Sequence, residues 1–529
     1  MVRWLILGFA VVFAGYATTV SLLAPAPEAS APPQSTAGQK TKANHAVPPL
    51  APKAEALRKA LMALAAGATV EERNEHAALW SFYEAHGFAA LWLTEAGALT
   101  PKAALMIAEI RRADEWGLEP KDFARPSQRL YTAAAKAPAA SGAKAAAAVE
   151  IAISRSVLKY GRYARGGRII NPSAQLSSYL DRRPQLLKPQ AILEGIAAAD
   201  APDAYLRSLN PAHPEFEKLR QKYLSLLRQK RQNGAEARTL LVNMEQWRWM
   251  PADMGEIYVW NNIPDFTQRV VENGKTVWET RIVAGEIDKQ TPIFSRPMRK
   301  IVFRPTWIVP DSIKVRELWP SLLDGGELLE AWGLEVRTKD GQPVNWHKID
   351  WSRADIRTYE VIQPNGPKSV MGKVKFSFPN QHTVFMHDTL PKDKELFNAS
   401  QRTYSHGCMR VADPIGLANI VLRVDQGWDP ARVIEAANTG PLNNEIAIEH
   451  RIMVHMTYFT AFVDDDGKLH TFPDVYGHEQ RIALALAGEW DDIVKGRDHL
   501  APVELDLSDT PMRSAGVRGF LDNIFGSNN

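Results

Sequence analysis

Met386-His387-Asp388-Thr389 and, further on, Tyr404-Ser405-His406-Gly407-Cys408-Met409-Arg410 bound the stretch around which this 529-residue chain is organised. Cys408 is the only cysteine. A thiol is a weak nucleophile until it becomes a thiolate, so chemistry here needs a base or a positive field close by. His387 lies 21 residues upstream, near enough to occupy a neighbouring strand. His406 and Arg410 each stand two residues from Cys408 and would share its face in an extended chain. Gly407 has no side chain at the point where a substrate carbonyl would approach backbone N–H groups, which is the geometric requirement of an oxyanion hole. Together these residue types are the parts of a Cys/His acyl-transfer site.

Outward from this stretch the hydrophobic period changes twice. Residues 55–238 are read as a helical domain, with apolar residues at three- and four-residue spacing in Leu105–Ile110 and Ile151–Leu158. The Ala-rich run Thr132–Val149, broken by Pro138 and Ser141-Gly142, is expected to be a loose connection between helices. After Leu240 short strands take over: Ile257–Trp260, Lys300–Phe303, Val374–Phe378, Thr383–Met386, and a long pair Ile452–Val463 with Lys468–Phe472. Asn273-Gly274 is a type I′ hairpin signal. Within the strands, Ile313–Leu323 and Leu328–Trp332 look helical. Asp413-Pro414 starts a helix whose stripe is Leu417, Ile420, Val421 and Val424, and Gly427 stops it. The fold class expected is α+β.

Further motifs extend the signature. Asn243-Met244-Glu245-Gln246-Trp247-Arg248-Trp249-Met250-Pro251, Arg304-Pro305-Thr306-Trp307-Ile308-Val309-Pro310, Lys375-Phe376-Ser377-Phe378-Pro379-Asn380 and His455-Met456-Thr457-Tyr458-Phe459-Thr460 accompany His387-Asp388-Thr389 and Ser405–Arg410. The whole resembles the L,D-transpeptidases, cysteine enzymes that remodel peptidoglycan, and within them the large multi-domain branch. The resemblance implies a helical scaffold domain over 55–238, a β-rich catalytic domain over 239–490, and a helical capping subdomain near 311–350 that acts as a mobile lid. Tyr205 to Arg238 leaves no room for the small peptidoglycan-binding module that relatives of this size often carry, so none is expected.

Composition bounds the rest. A hydrophobic fraction of 45% with 23% charged residues is that of a globular protein, and a net charge of +3 from 63 basic and 60 acidic residues argues for no nucleic-acid partner. After Arg3, residues 4–23 carry no charge and read as an uncleaved membrane anchor or, alternatively, a signal peptide whose cleavage would release the protein to the periplasm. Residues 24–54, rich in Pro and Ala, read as a disordered tether, and residues 491–529 as a polar C-terminal tail. This arrangement puts the enzyme on the periplasmic face of the inner membrane, an oxidising compartment that suits a chain with one thiol.

The chemistry expected is a two-step acyl transfer. Cys408 attacks the bond before the terminal D-alanine of a tetrapeptide stem, and an amine from a second stem then releases the thioester to form a cross-link between diaminopimelate residues. His387 is the preferred base, oriented by either the carbonyl or the carboxylate of Asp388. The N–H groups of Gly407 and Cys408, with Ser405 or His406, receive the oxyanion. Arg410 holds a substrate carboxylate or braces the loop; His406 orients loop or substrate. No cofactor is expected, and His382, His387, His406 and Cys408 match no common zinc spacing. By resemblance, carbapenems are the inhibitors. The same acyl-enzyme would serve a carboxypeptidase, an exchange reaction with free D-amino acids, or attachment of a protein to peptidoglycan. A general cysteine protease and a non-catalytic wall-binding scaffold are the remaining alternatives.

Overall fold

A computed structural model of the chain describes residues 50–64, 67, 69–136 and 140–505. The expected anchor, most of the tether and the apolar patch at Phe520-Leu521 and Ile524-Phe525 lie outside the described residues. Residues 52–248 are helical and are followed by a β-rich domain, an α+β arrangement. Helix Pro52–Met62 opens inside the segment expected as tether, with Pro52 in its first turn.

The Ala-rich run departs from expectation. Its described residues belong to two helices, Gln128–Lys136 and the 27-residue Ala140–Gly166. Alanine loses no side-chain entropy in a helix and lets neighbours pack closely, and Ala145, Ala146 and Ala147 are buried in the helical core with Leu79, Phe82 and Trp92. Sequence that looks like filler is the seat of close helix packing.

The β domain opens with β1 (Ile257–Asn262), β2 (Thr267–Glu272), β3 (Lys275–Gly285), β4 (Ser295–Pro297) and β5 (Lys300–Phe303). Asn273 and Gly274 both take positive φ, 51° and 76°, the type I′ turn between β2 and β3. A small subdomain, at the position of the expected cap, then interrupts the sheet. It contains β6 (Trp307–Ile308), β7 (Glu335–Arg337) and β8 (Glu360–Gln363) as a small sheet in the order β6-β8-β7. Its helical part covers Asp311–Leu323, with a π turn over Lys314–Leu318, and Glu327–Trp332. Trp319, Leu322, Leu329, Trp351, Ile356 and Val361 give it a core of its own, against which Val503 and Leu505 of the C-terminal segment pack.

The main sheet resumes with β9 (Val374–Ser377), β10 (Met386–His387), β11 (Thr403–Ser405), β12 (Met409–Val411), β13 (Asn444–Ala447) and β14 (Met453–Thr457). Its order is β13-β5-β9-β10-β12-β3-β2-β1-β14-β4, with β11 paired to β3. One cross-strand row, Ile301–Phe376–Met386–Met409, is fully buried in the core beneath the Pro414–Gln426 helix residues Leu417, Val421 and Leu422. The adjacent row, Val302–Lys375–His387–Arg410, occupies the other face. Asp413 caps the Pro414–Gln426 helix through Gly416 N–H at 2.9 Å, and Gly427 ends it at φ 67°. Thr383 takes φ 55°, so strand pairing starts only at Met386.

Ile452–Val463 is two strands, not one. Tyr458–Thr460 leaves the sheet, and β15 (Ala461–Val463) forms a separate hairpin with β16 (Leu469–Thr471). Asn262 binds the N–H and carbonyl of Phe459 in this break, and Asn243 on the Ala235–Arg248 helix holds the residues that follow. Asn243 Oδ1 accepts from Thr460 N–H at 2.9 Å and Ala461 N–H at 3.2 Å, while its Nδ2 donates to Thr460 Oγ1 and the Thr239 carbonyl. Two residues on, Glu245 accepts from Arg168 and Ile169 N–H, and further along the same helix Arg248 donates to the Trp116 carbonyl and Asn210. One helix therefore bonds both the helical region and the β-rich domain. Asn243→Ala is expected to lower stability by about 2 kcal/mol or more, because two buried backbone N–H groups lose their acceptor. Denaturant unfolding measures it, and an unchanged midpoint would mean that those N–H groups find another partner.

Candidate active site

Cys408 follows β11 and immediately precedes β12, where the chain makes a tight bend. Gly407 takes φ 97°, and an added Cβ would stand 3.3 Å from the Gln290 carbonyl. A side chain at 407 would be strained in conformation and crowded. Three hydroxyl contacts fix the bend. Ser405 Oγ accepts from Gly407 N–H at 3.2 Å and donates to the Cys408 carbonyl. Thr291 Oγ1 donates to the Gly407 carbonyl at 2.9 Å. Thr291 is itself held by Tyr476, whose hydroxyl accepts from Thr291 N–H and donates to the Gly285 carbonyl.

β10 brings the histidine. It pairs parallel to β12, with His387 in register with Arg410, and Met409 N–H donates to the Phe385 carbonyl at 3.0 Å. His387 is buried, and its Nδ1 lies 2.5 Å from the Asp388 carbonyl. A carbonyl can only accept, so Nδ1 carries the proton and Nε2 is left as the basic nitrogen. The Asp388 carboxylate does different work: Oδ2 accepts from Lys373 N–H at 2.9 Å, and a Cβ at Gly372 would collide with that carboxyl group. Of the two orienting groups left open by sequence, the carbonyl is the one in contact. The Cys408 thiol and the His387 ring make no hydrogen bond to each other in this structure, a looseness common before substrate binds.

Arg410 and His406 point to different neighbours. Arg410 is buried and pairs with Asp393 at 3.1 Å, which makes it a brace between β12 and the Pro391–Asn398 3-10 helix. His406 turns to the capping subdomain: its Nε2 lies 2.9 Å from Glu317 Oε1 on the π turn and 2.9 Å from Lys289 Nζ. The bend that carries the thiol is thus tied directly to the cap. Asp393, Thr291, Glu317 and Lys289 belong to the site and were not singled out in sequence, since each is joined to it by contacts across long separations.

Comparison with known protein families matches residues 256–434 to the YkuD family, the L,D-transpeptidase catalytic domain, and residues 77–222 to a Scaffold domain. The chain carries an L,D-transpeptidase catalytic domain behind a Scaffold domain. A Haemophilus influenzae protein, itself named only provisionally as an L,D-transpeptidase, is 28% identical over 260 residues, which is 48% of this chain and 51% of that protein. The chain thus spans about half the length of the curated relative it matches.

The electrostatics of the site follow from burial. Desolvation pushes the Cys408 thiol up to about 11, against the opposing pull of the Phe385 N–H and the charges of Lys375 and Arg410. Burial, with the Arg410 charge next, pushes His387 down to about 3. At neutral pH the resting pair is therefore a thiol beside a neutral imidazole, not a thiolate–imidazolium pair. The rate of Cys408 alkylation by iodoacetamide should accordingly climb steadily from about pH 6 to about pH 9, following the thiolate fraction. A rate already at its plateau near neutrality would mean that a preformed ion pair exists.

Proposed function

We propose that this protein is a murein L,D-transpeptidase that cross-links diaminopimelate residues of peptidoglycan stems through a Cys408 acyl-enzyme, acting on the periplasmic face of the inner membrane. The observation that carries the reading is the parallel pairing of β10 with β12, which aligns a correctly tautomerised His387 with the segment bearing the only thiol, inside a domain of matching family.

In the first step His387 Nε2 takes the Cys408 proton as Sγ attacks the carbonyl carbon that precedes the terminal D-alanine. The neutral ground state suits this role, because the proton moves only as the new bond forms and neither the thiol nor the imidazole need be ionised beforehand. The oxyanion is received by the Cys408 N–H and by the Gly407 N–H once the Ser405 hydroxyl releases it. Collapse returns the proton from His387 to the departing nitrogen of D-alanine and leaves a thioester on Cys408. An amine of a second stem then attacks the thioester, His387 takes its proton, and Cys408 leaves to be reprotonated. Arg410 holds β12 by its pairing with Asp393 and keeps a positive charge near the sulfur.

Mutation separates these roles. Cys408→Ala should abolish D-alanine release and cross-link formation while the protein stays folded, and Cys408→Ser should be nearly as inactive. His387→Ala should reduce Cys408 acylation far more than His406→Ala, whose side chain is engaged with the cap; the reverse order in an acylation assay would reassign the base. Intact-protein mass spectrometry after meropenem should give an adduct of the whole drug mass, absent from Cys408→Ala. An unmodified mass in folded protein that turns over muropeptide would contradict the proposed geometry.

A further inference from the structure

Lys375 stands directly across from His387 in the β9–β10 pairing and, by the register of β10 with β12, in one row with Arg410. The three basic side chains are held differently. His387 donates to a carbonyl, and Arg410 is paired with Asp393. Lys375 is half-buried and, among the described residues, makes neither an ion pair nor a hydrogen bond. The ammonium rests 5.1 Å from the centre of the Phe385 ring, which itself stacks edge-on with His387. The acidic side chain that acts on it, Glu445, is exposed and already paired with Lys300 at 2.6 Å. Burial and the Lys300 charge lower its proton affinity, whereas the Cys408 thiolate would raise it. A partly desolvated ammonium with no counter-ion is costly in the free protein and is favoured by an anion brought in by a ligand.

We propose that Lys375 is a specificity-determining residue that anchors a carboxylate of the donor stem beside Cys408. The inference rests on the acyl-transfer reading above and deepens it. A donor stem offers two carboxylates near the scissile bond: the one at the end of the terminal D-alanine and the one on the diaminopimelate side chain. Either can form a charge-assisted hydrogen bond with the ammonium. Such a bond positions the scissile carbonyl over the sulfur and disfavours stems without the matching charge, whose binding would leave Lys375 buried and unpaired.

The test uses the full chain with three tetrapeptide stems: the free acid, the stem amidated at its C-terminus, and the stem amidated on the diaminopimelate side chain. Release of D-alanine or its amide gives KM and kcat separately. Wild type should show KM raised by about tenfold or more for one of the two amidated stems and little change for the other. The sensitive stem identifies the carboxylate. Lys375→Gln should raise KM for the free acid by a similar factor and lose discrimination against that amide, and Lys375→Arg should recover part of it. Where Lys375→Gln does not fold, the wild-type comparison of the three stems stands by itself. Equal KM for all three stems in wild type would overturn the proposal, as would a Lys375→Gln effect confined to kcat and equal on every stem. Absence of D-alanine release from any stem, with no acyl group on Cys408, would instead count against the acyl-transfer reading.

Discussion

The two-residue parallel pairing of Met386–His387 with Met409–Arg410 is the contact on which the site depends. Strand alternation makes it serve two purposes at once. Met386 and Met409 turn into the core with Ile301 and Phe376, while His387 and Arg410 turn to the other face with Lys375. A slip of one residue would exchange these rows, placing His387 and Arg410 in the apolar core and methionines on the chemical face. The core therefore specifies the register, and the register positions the base. The Pro414–Gln426 helix, packed through Leu417, Val421 and Leu422, and the Ser405 and Thr291 hydroxyls hold the other side of that pairing in place.

Burial sets the charge state of this pair. Water-excluded surroundings raise the thiol and lower the imidazole, and both shifts favour neutral forms. Positive charge is present nonetheless: Arg410 is balanced by Asp393, and Lys375 is left for an incoming anion. The cap also touches the nucleophile bend, since His406 bonds to Glu317 on a π turn and Lys289 lies within reach of both. π turns often mark places where a helix is distorted to aim a side chain, and here the distortion lies at the contact between cap and nucleophile bend.

Much of this was legible in the sequence where the signal is local. The Asn273-Gly274 turn, the Asp413 cap and the Gly427 stop are short-range stereochemistry and appear as read. Cys408, His387 and Gly407 stand out because a lone thiol, a histidine and a glycine at such spacing carry few other meanings. Contacts made at long range left no such mark. Lys375 looks like one polar residue in an alternating strand until its register with His387 is known. Thr291, Asp393 and Glu317 are ordinary polar residues whose partners lie far along the chain. At Asp388 the sequence leaves carbonyl and carboxylate both open, because either can face the ring of the preceding histidine; the backbone carbonyl makes the contact with His387. The break at Tyr458–Thr460 is held by Asn243, more than 200 residues earlier in the chain, and no local propensity announces it. The Ala-rich run was misread because low complexity resembles linker sequence, although its small side chains suit a tightly packed helix.

The most direct measurement is to quench the enzyme during turnover of a tetrapeptide stem, digest it, and map the acyl group by mass spectrometry. The account predicts a hydroxylamine-labile thioester on the peptide containing Cys408, with the mass of the stem less D-alanine, formed and consumed at rates that match turnover. Cross-linked product appearing with no acyl group on Cys408, or with the acyl group on another residue, would contradict it.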